Sequence, residues 1–180
     1  MASCCWIALT LHGPGTFPSR ILPHLLLGDI AMANNVGLLK ALGVTHVLSV
    51  GIRPSHSERS LTFKFVDNIE DDGYGDLLGC FHECNAFIDE ARAANGRVLV
   101  HCQVGTSRSA TVSIAYIISH LNLSLLDAYF FVRARRLLLI IQPNLRLMYN
   151  LLEYEWQQRQ TLSLPWVDLA RSISLLNSNF

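Results

Sequence analysis

Cys102 and Arg108 lie six residues apart inside the run Val100-His-Cys-Gln-Val-Gly-Thr-Ser-Arg-Ser109. The apolar stretch Arg97–Val100 predicts a short strand, and a helix is expected from Ser107 to His120. A strand, a tight loop and a helix N-terminus make backbone N–H groups converge on an anion. Gly105 lets the chain turn without a Cβ penalty. The spacing lets the loop close into a cradle with the Arg108 guanidinium opposite the Cys102 thiol, and a guanidinium fork suits two phosphate oxygens. Gln103, Val104, Gly105, Thr106, Ser107 and Arg108 are therefore the candidate phosphate-binding residues. A free thiol titrates near about 8.5, and helix N-termini and nearby cations lower that value. The expected chemistry is attack of a Cys102 thiolate on phosphorus. His101 would hydrogen-bond within the loop and set its shape, and Ser109 would offer its hydroxyl to the sulfur and ease its departure. Cys4, Cys5, Cys80 and Cys84 have no arginine at the matching distance.

The elements that must position this loop alternate between strand and helix. Ile21–Leu27 predicts a short strand pair around Pro23, ending at Gly28. Ala31–Leu42 predicts a helix stopped by Gly43, and Val44–Val50 a buried strand. Leu61–Val66 predicts a strand with Phe63 and Phe65 on one face. An acidic loop follows, carrying Asp67, Glu70, Asp71, Asp72, Gly73 and Gly75. Leu77–Ala94 has helical spacing and ends at Asn95-Gly96. Ser124 caps a helix to Arg136, with Asp127 in the manner of a capping box, and a further helix spans Leu145–Gln160. Together these predict an α/β fold with a central, mostly parallel twisted sheet flanked by helices. Residues 1–19, with Gly13, Pro14, Gly15 and Pro18, are expected to form a flexible N-terminal arm, 20–160 the domain, and 161–180 a Ser/Leu-rich C-terminal tail.

Bulk properties narrow the function classes. The chain has 180 residues and 14 basic against 14 acidic side chains. That length fits one domain. The charge balance argues against a general nucleic-acid binder. Five cysteines without a framework spacing indicate reduced thiols in the cytoplasm or nucleus. Cys80 and Cys84 could face one way on a helix, yet two thiols without further ligands make a poor zinc site, and buried apolar roles are the simpler reading. No apolar run has the length of a membrane span, and the N-terminus has no basic signal-peptide region.

His101-Cys-x-x-Gly-x-Ser-Arg-Ser109, with Ala110 and Thr111, resembles the active-site loop of the dual-specificity protein phosphatases. Ile21–Gly28 and Gly43–Val50 resemble the strands of that family; Ser124–Ala128 with Val132, Arg135 and Arg136 resembles the helix after the catalytic one. Pro143-Asn144, with Leu147, Leu151, Tyr154 and Glu155, resembles its last helix, so residues 21–156 are covered. The resemblance implies a cysteine-phosphatase-like fold with its phosphate-binding loop between strand and helix. It also implies a two-step phosphatase reaction through a phosphocysteine, with no metal and no other cofactor. Alignment on Leu77, Phe81, Phe87 and Ile88 places the family's general acid at Asp71, with Asp72 and then Asp67 as alternatives.

Other features bear on substrate. The short stretch before the domain implies the small atypical type without a kinase-docking domain. Uncharged Gln103, Val104 and Thr106 favour phosphorylated proteins over inositol lipids, whose charge calls for lysines. The implied substrates are phosphotyrosine and phosphoserine or phosphothreonine. Arg133, Arg135 and Arg136 form a basic cluster, either a solvated helix face or a contact for a secondary phosphate or acidic substrate. Leu26 stands where a tyrosine is common, and Leu137 replaces a proline. The Leu137–Gln142 stretch runs longer than usual, and Leu145-Arg146-Leu147 replaces the usual Gly-Phe. Two other functions stand beside the protein phosphatase: a module that binds phosphoproteins without turnover, and an enzyme acting on an RNA end, lipid or sugar phosphate.

Overall fold

The computed structural model describes residues 17–55, 58–136 and 140–178. Most of the expected arm, including Cys4 and Cys5, lies outside the described residues, as do Leu137, Leu138 and Leu139. Two short strands, β1 (Ser19–Leu22) and β2 (Leu25–Gly28), pair antiparallel around Pro23. They join β3 (His46–Val50), β4 (Thr62–Val66) and β5 (Val98–His101) in a five-stranded sheet of order β1-β2-β5-β3-β4. The β2–β5, β5–β3 and β3–β4 pairs are all parallel.

A parallel sheet is covered on both faces, so its central strands carry apolar side chains in both directions. Leu25, Leu27, Leu48, Val50, Val98 and Val100 face the larger core. Leu26, Val47 and Leu99 face the smaller one. The smaller core is closed by α1 (Ile30–Asn34) and α2 (Val36–Ala41). The expected single helix over Ala31–Leu42 is thus broken. Asn35 leaves the helical region and its side chain accepts the Leu38 N–H at 3.0 Å, capping α2 instead of continuing α1. Gly43 ends the pair at φ +67°, a conformation open to glycine.

The larger core is built by α3 (Phe81–Ala93), α4 (Arg108–Leu121), α5 (Leu125–Arg135) and α6 (Leu145–Arg159). A 3₁₀ turn, Leu78–Cys80, leads into α3. Helix α4 is buried from Arg108 to Ile118, which makes it the central strut of this layer. Each fully buried Leu, Ile or Val there contributes roughly 1.5–3 kcal/mol. Ser124 accepts the Asp127 N–H at 3.1 Å and caps α5 as expected.

The expected tail contains a helix, α7 (Trp166–Ser178). Leu169 is only 5% exposed in the main core, and the Trp166 ring meets Tyr149 edge-on at 5.3 Å. Buried Glu155 explains the attachment. One carboxylate oxygen accepts the Leu125 N–H at 2.9 Å, the other accepts the Ser163 N–H and hydroxyl, both at 3.0 Å. A single α6 side chain thereby ties down both α5 and the segment leading to α7. Among the described residues no helix is long and apolar enough to cross a membrane.

Candidate active site

Strand β5 ends at His101 in the middle of the sheet, and α4 begins at Arg108. The loop between them turns at Gly105, whose φ is +79°. Cys102 lies on the floor of this loop and is 1% exposed. Its Sγ accepts the Gly105 N–H at 3.2 Å and the Ser109 hydroxyl at 3.1 Å. Both donors point at the sulfur, so Cys102 Sγ is held in place as a hydrogen-bond acceptor. Ser109 is held in turn on α4, where its carbonyl accepts the Ser113 hydroxyl at 2.9 Å.

His101 is fully buried beneath the loop. Its Nδ1 lies 3.4 Å from the Cys102 carbonyl and its Nε2 lies 2.7 Å from the Ser49 hydroxyl on β3. A carbonyl can only accept, so Nδ1 carries the proton and Nε2 accepts from Ser49. Burial pushes the imidazole down to about 4, against the opposing pull of the Cys102 carbonyl hydrogen bond and Asp29. A neutral ring therefore locks β3 to the start of the loop.

Arg108 is 7% exposed, and its Nη1 donates to the Ile69 carbonyl at 2.8 Å. The guanidinium lies directly over Gly51, where any Cβ would overlap it. Arg108 Nε is 3.8 Å from Asp71 Oδ2 and has no hydrogen-bond partner of its own. Asp71 Oδ1 accepts the Ser107 hydroxyl at 2.8 Å and the Asn144 amide at 2.9 Å. Asn144 serves two ends: its oxygen caps α6 by accepting the Leu147 N–H at 3.0 Å, and its nitrogen holds Asp71. An ionised aspartate could cap but has no proton to donate in this way.

The other acidic candidates face elsewhere. Asp72 accepts the Tyr74 N–H at 2.9 Å and is exposed. Asp67 pairs with Arg53, which lowers its carboxyl below the ordinary value. Only Asp71 of the three is bonded to the Cys102–Arg108 loop.

The rest of the loop is braced from outside. The Gln103 carbonyl accepts the Ile30 N–H at 3.4 Å, and the Thr106 carbonyl accepts the Gln142 N–H at 2.8 Å. Gln142 belongs to the stretch that departs from the family pattern, and it bonds directly to the loop. Gln103 and Val104 are exposed at the rim, Gly105 and Ser107 are buried, and Thr106 is intermediate. Sequence reasoning did not find Gly51, Asn144 or Gln142 as parts of the site. Gly51 after the β-branched run ending at Val50 was the available signal, and Asn144 entered only in the Pro143-Asn144 pair that resembles the start of the family's last helix.

The basic cluster divides. Arg133 donates to the Tyr129 hydroxyl at 3.3 Å, and exposed Arg135 lies over the Phe131 ring at 3.4 Å. Arg136 is buried, so neither expected reading of the cluster, solvated face or substrate contact, describes it. Cys80 and Cys84 are free thiols; burial pushes Cys84 up to about 12, as fits a packing role. Among the described residues no three His, Cys, Asp or Glu side chains gather where one metal ion could sit.

Comparison with known proteins agrees with this geometry. Residues 25–157 match the family described as dual specificity phosphatase, catalytic domain. The chain is 40% identical to human dual specificity protein phosphatase 1 over 157 residues, 87% of this chain and 42% of that protein. It is 32% identical to dual specificity protein phosphatase PPS1 of Saccharomyces cerevisiae, over 96% of this chain and 28% of that protein. The chain thus spans less than half the length of these curated relatives. The crystal structure of human DUSP28 superposes with a TM-score of 0.72 at 30% identity, covering 82% of this chain and 96% of that one. From the cradle geometry and the match over residues 25–157, the chain belongs to the dual specificity phosphatase family.

Proposed function

We propose that this chain hydrolyses phosphotyrosine and phosphoserine or phosphothreonine in proteins through a phosphocysteine on Cys102. The observation that carries the reading is the sulfur's setting: Cys102 Sγ accepts from Gly105 and Ser109, while Arg108 and Asp71 stand together beside the loop. In the first step the Cys102 thiolate attacks phosphorus and the bond from phosphorus to the side-chain oxygen breaks. Loop N–H groups and the Arg108 fork hold the remaining phosphate oxygens. Asp71 protonates the leaving oxygen. In the second step water attacks phosphorus, Asp71 takes its proton, and the sulfur leaves as thiolate stabilised by the Ser109 hydroxyl. The products are the free alcohol or phenol and inorganic phosphate.

Residues 20–160 form the catalytic unit in this reading, with α7 as an appended element docked on α6. The uncharged rim residues Gln103 and Val104 suit a phosphoprotein better than a polyanionic lipid. Free Cys80, Cys84 and Cys102 suit a reducing compartment, the cytoplasm or nucleus. The test is hydrolysis of p-nitrophenyl phosphate with reductant and EDTA, with Cys102→Ser beside the wild type. Activity lost in the variant and insensitive to EDTA supports the reading. A folded, inactive wild type that still binds phosphopeptides would replace it with a binding module.

A further inference from the structure

Arg136 is a buried cation that the proposed reaction does not use. It is 4% exposed and packs against the turn of the phosphate loop at Gly105. Its Nη1 donates to the Leu27 carbonyl at 3.1 Å and the Ser19 hydroxyl at 3.3 Å, which ties the end of α5 to the β1–β2 hairpin. Nε and Nη2 are buried without hydrogen-bond partners. Nη2 is aimed at the loop's turn: a Cβ on Gly105 would lie 2.6 Å from it. Gly105 is the residue whose N–H donates to the Cys102 sulfur.

A buried guanidinium with unpartnered donors is costly unless an anion compensates it. The charged and titratable groups around the loop are Asp29 at the β2–α1 corner, His101 on β5, Cys102, Arg108 on α4 and Asp71. His101 is neutral, and Asp71 lies beside Arg108. Asp29 already caps α1 by accepting the Met32 N–H at 2.9 Å. Burial pulls Arg136 below its ordinary value, while Asp29 and Cys102 act in the opposite sense. Of these groups, Cys102 sits at the turn that Nη2 faces, because the Gly105 N–H donates to its sulfur.

We propose that Arg136 is a positioning residue of the reaction: it backs the Gly105 turn and supplies positive charge that keeps Cys102 a thiolate before phosphate arrives. The inference rests on Cys102 being the nucleophile and adds a second cation to Arg108, on the opposite side of the loop from substrate. Arg136 does not touch the phosphate.

The experiment is the pH dependence of Cys102 alkylation by iodoacetamide, located by peptide mapping, in Arg136→Gln and Arg136→Lys. Glutamine keeps a donor and drops the charge; lysine keeps the charge and drops the fork. Folding is checked by circular dichroism and thermal melting. Arg136→Met, apolar and of similar length, serves if the glutamine variant does not fold. Arg136→Gln or Arg136→Met is expected to move the alkylation midpoint up by about one pH unit, the low end for loss of a nearby opposite charge. Arg136→Lys is expected to hold the midpoint near wild type. An unmoved midpoint in the uncharged variant, or an equal displacement in the lysine variant, overturns the proposal. Wild-type hydrolysis of p-nitrophenyl phosphate reports separately on the phosphatase reading, so either claim can fail alone.

Discussion

Gly51→Ala tests how the site holds its arginine. Gly51 follows β3 at φ +77°, and its N–H donates to the Val66 carbonyl at 2.8 Å, so its backbone is fixed by the sheet. An added Cβ would overlap both Arg108 Nη1 and the Ile69 carbonyl to which that nitrogen donates. The left-handed backbone costs an alanine about 1–2 kcal/mol. Overpacking against a fixed carbonyl costs about 1–3 kcal/mol more. The sum, roughly 2–5 kcal/mol, corresponds to a drop of roughly 4–20 °C in Tm for a chain of this size. The guanidinium is the softer neighbour and must swing away, so the phosphate fork is lost even in protein that stays folded. Losing a preorganised donor to the transition state costs about 10²–10³ in kcat. Steady-state hydrolysis of p-nitrophenyl phosphate, measured well below the variant's Tm, reads this directly. A Gly51→Ala enzyme with kcat/KM within about threefold of wild type would refute the placement of Arg108 over Gly51.

Asp71→Asn is expected to lower kcat on phosphoserine peptides by about 10²–10⁴, and much less on p-nitrophenyl phosphate, whose leaving group needs little protonation. The basic limb of the pH–rate profile should vanish with it; a limb that persists would return the acid's role to Asp72 or Asp67. Ser109→Ala is expected to slow the second step by about 10², giving a burst of p-nitrophenol before a slow steady state. A burst-free trace would remove Ser109 from that step. His101 sits at about 4 in the folded protein against an ordinary 6.5, so the unfolded chain binds more protons between those values. Its contribution is therefore complete above pH 6.5 and lost as pH falls towards 4, roughly 3 kcal/mol in all. Urea unfolding at pH 7.5 and pH 5 should show wild type losing more stability than His101→Gln; equal losses would contradict the buried neutral imidazole.

What the sequence made legible follows from how local each feature is. The loop from Val100 to Ser109 carries its strand, turn, nucleophile and cation in one contiguous run, and the structure folds it between β5 and α4. The central strands were legible because a doubly covered sheet calls for apolar side chains facing both ways, as at Val47, Leu48 and Val50. Asn35 was harder: the apolar pattern runs on through it, yet its side chain competes for the backbone and restarts the helix. The α7 helix was missed because its docking depends on Glu155 and Tyr149, on another helix. Gly51, Asn144 and Arg136 escaped for the same reason. Each acts on the loop through a contact that spans a large separation along the chain, which no local periodicity records. Asp71 sits between these cases: the resemblance placed it, and only the hydrogen bonds from Ser107 and Asn144 set it apart from Asp72.

The central claim is that Cys102 carries the phosphoryl group. The direct measurement is rapid acid quench of Ser109→Ala during turnover, followed by peptide mapping by mass spectrometry. The account predicts one phosphoryl group on the peptide containing Cys102, on sulfur, and none when Cys102→Ser is combined with the same change. Turnover with no covalent phosphate on Cys102, or with phosphate on another residue, would contradict it.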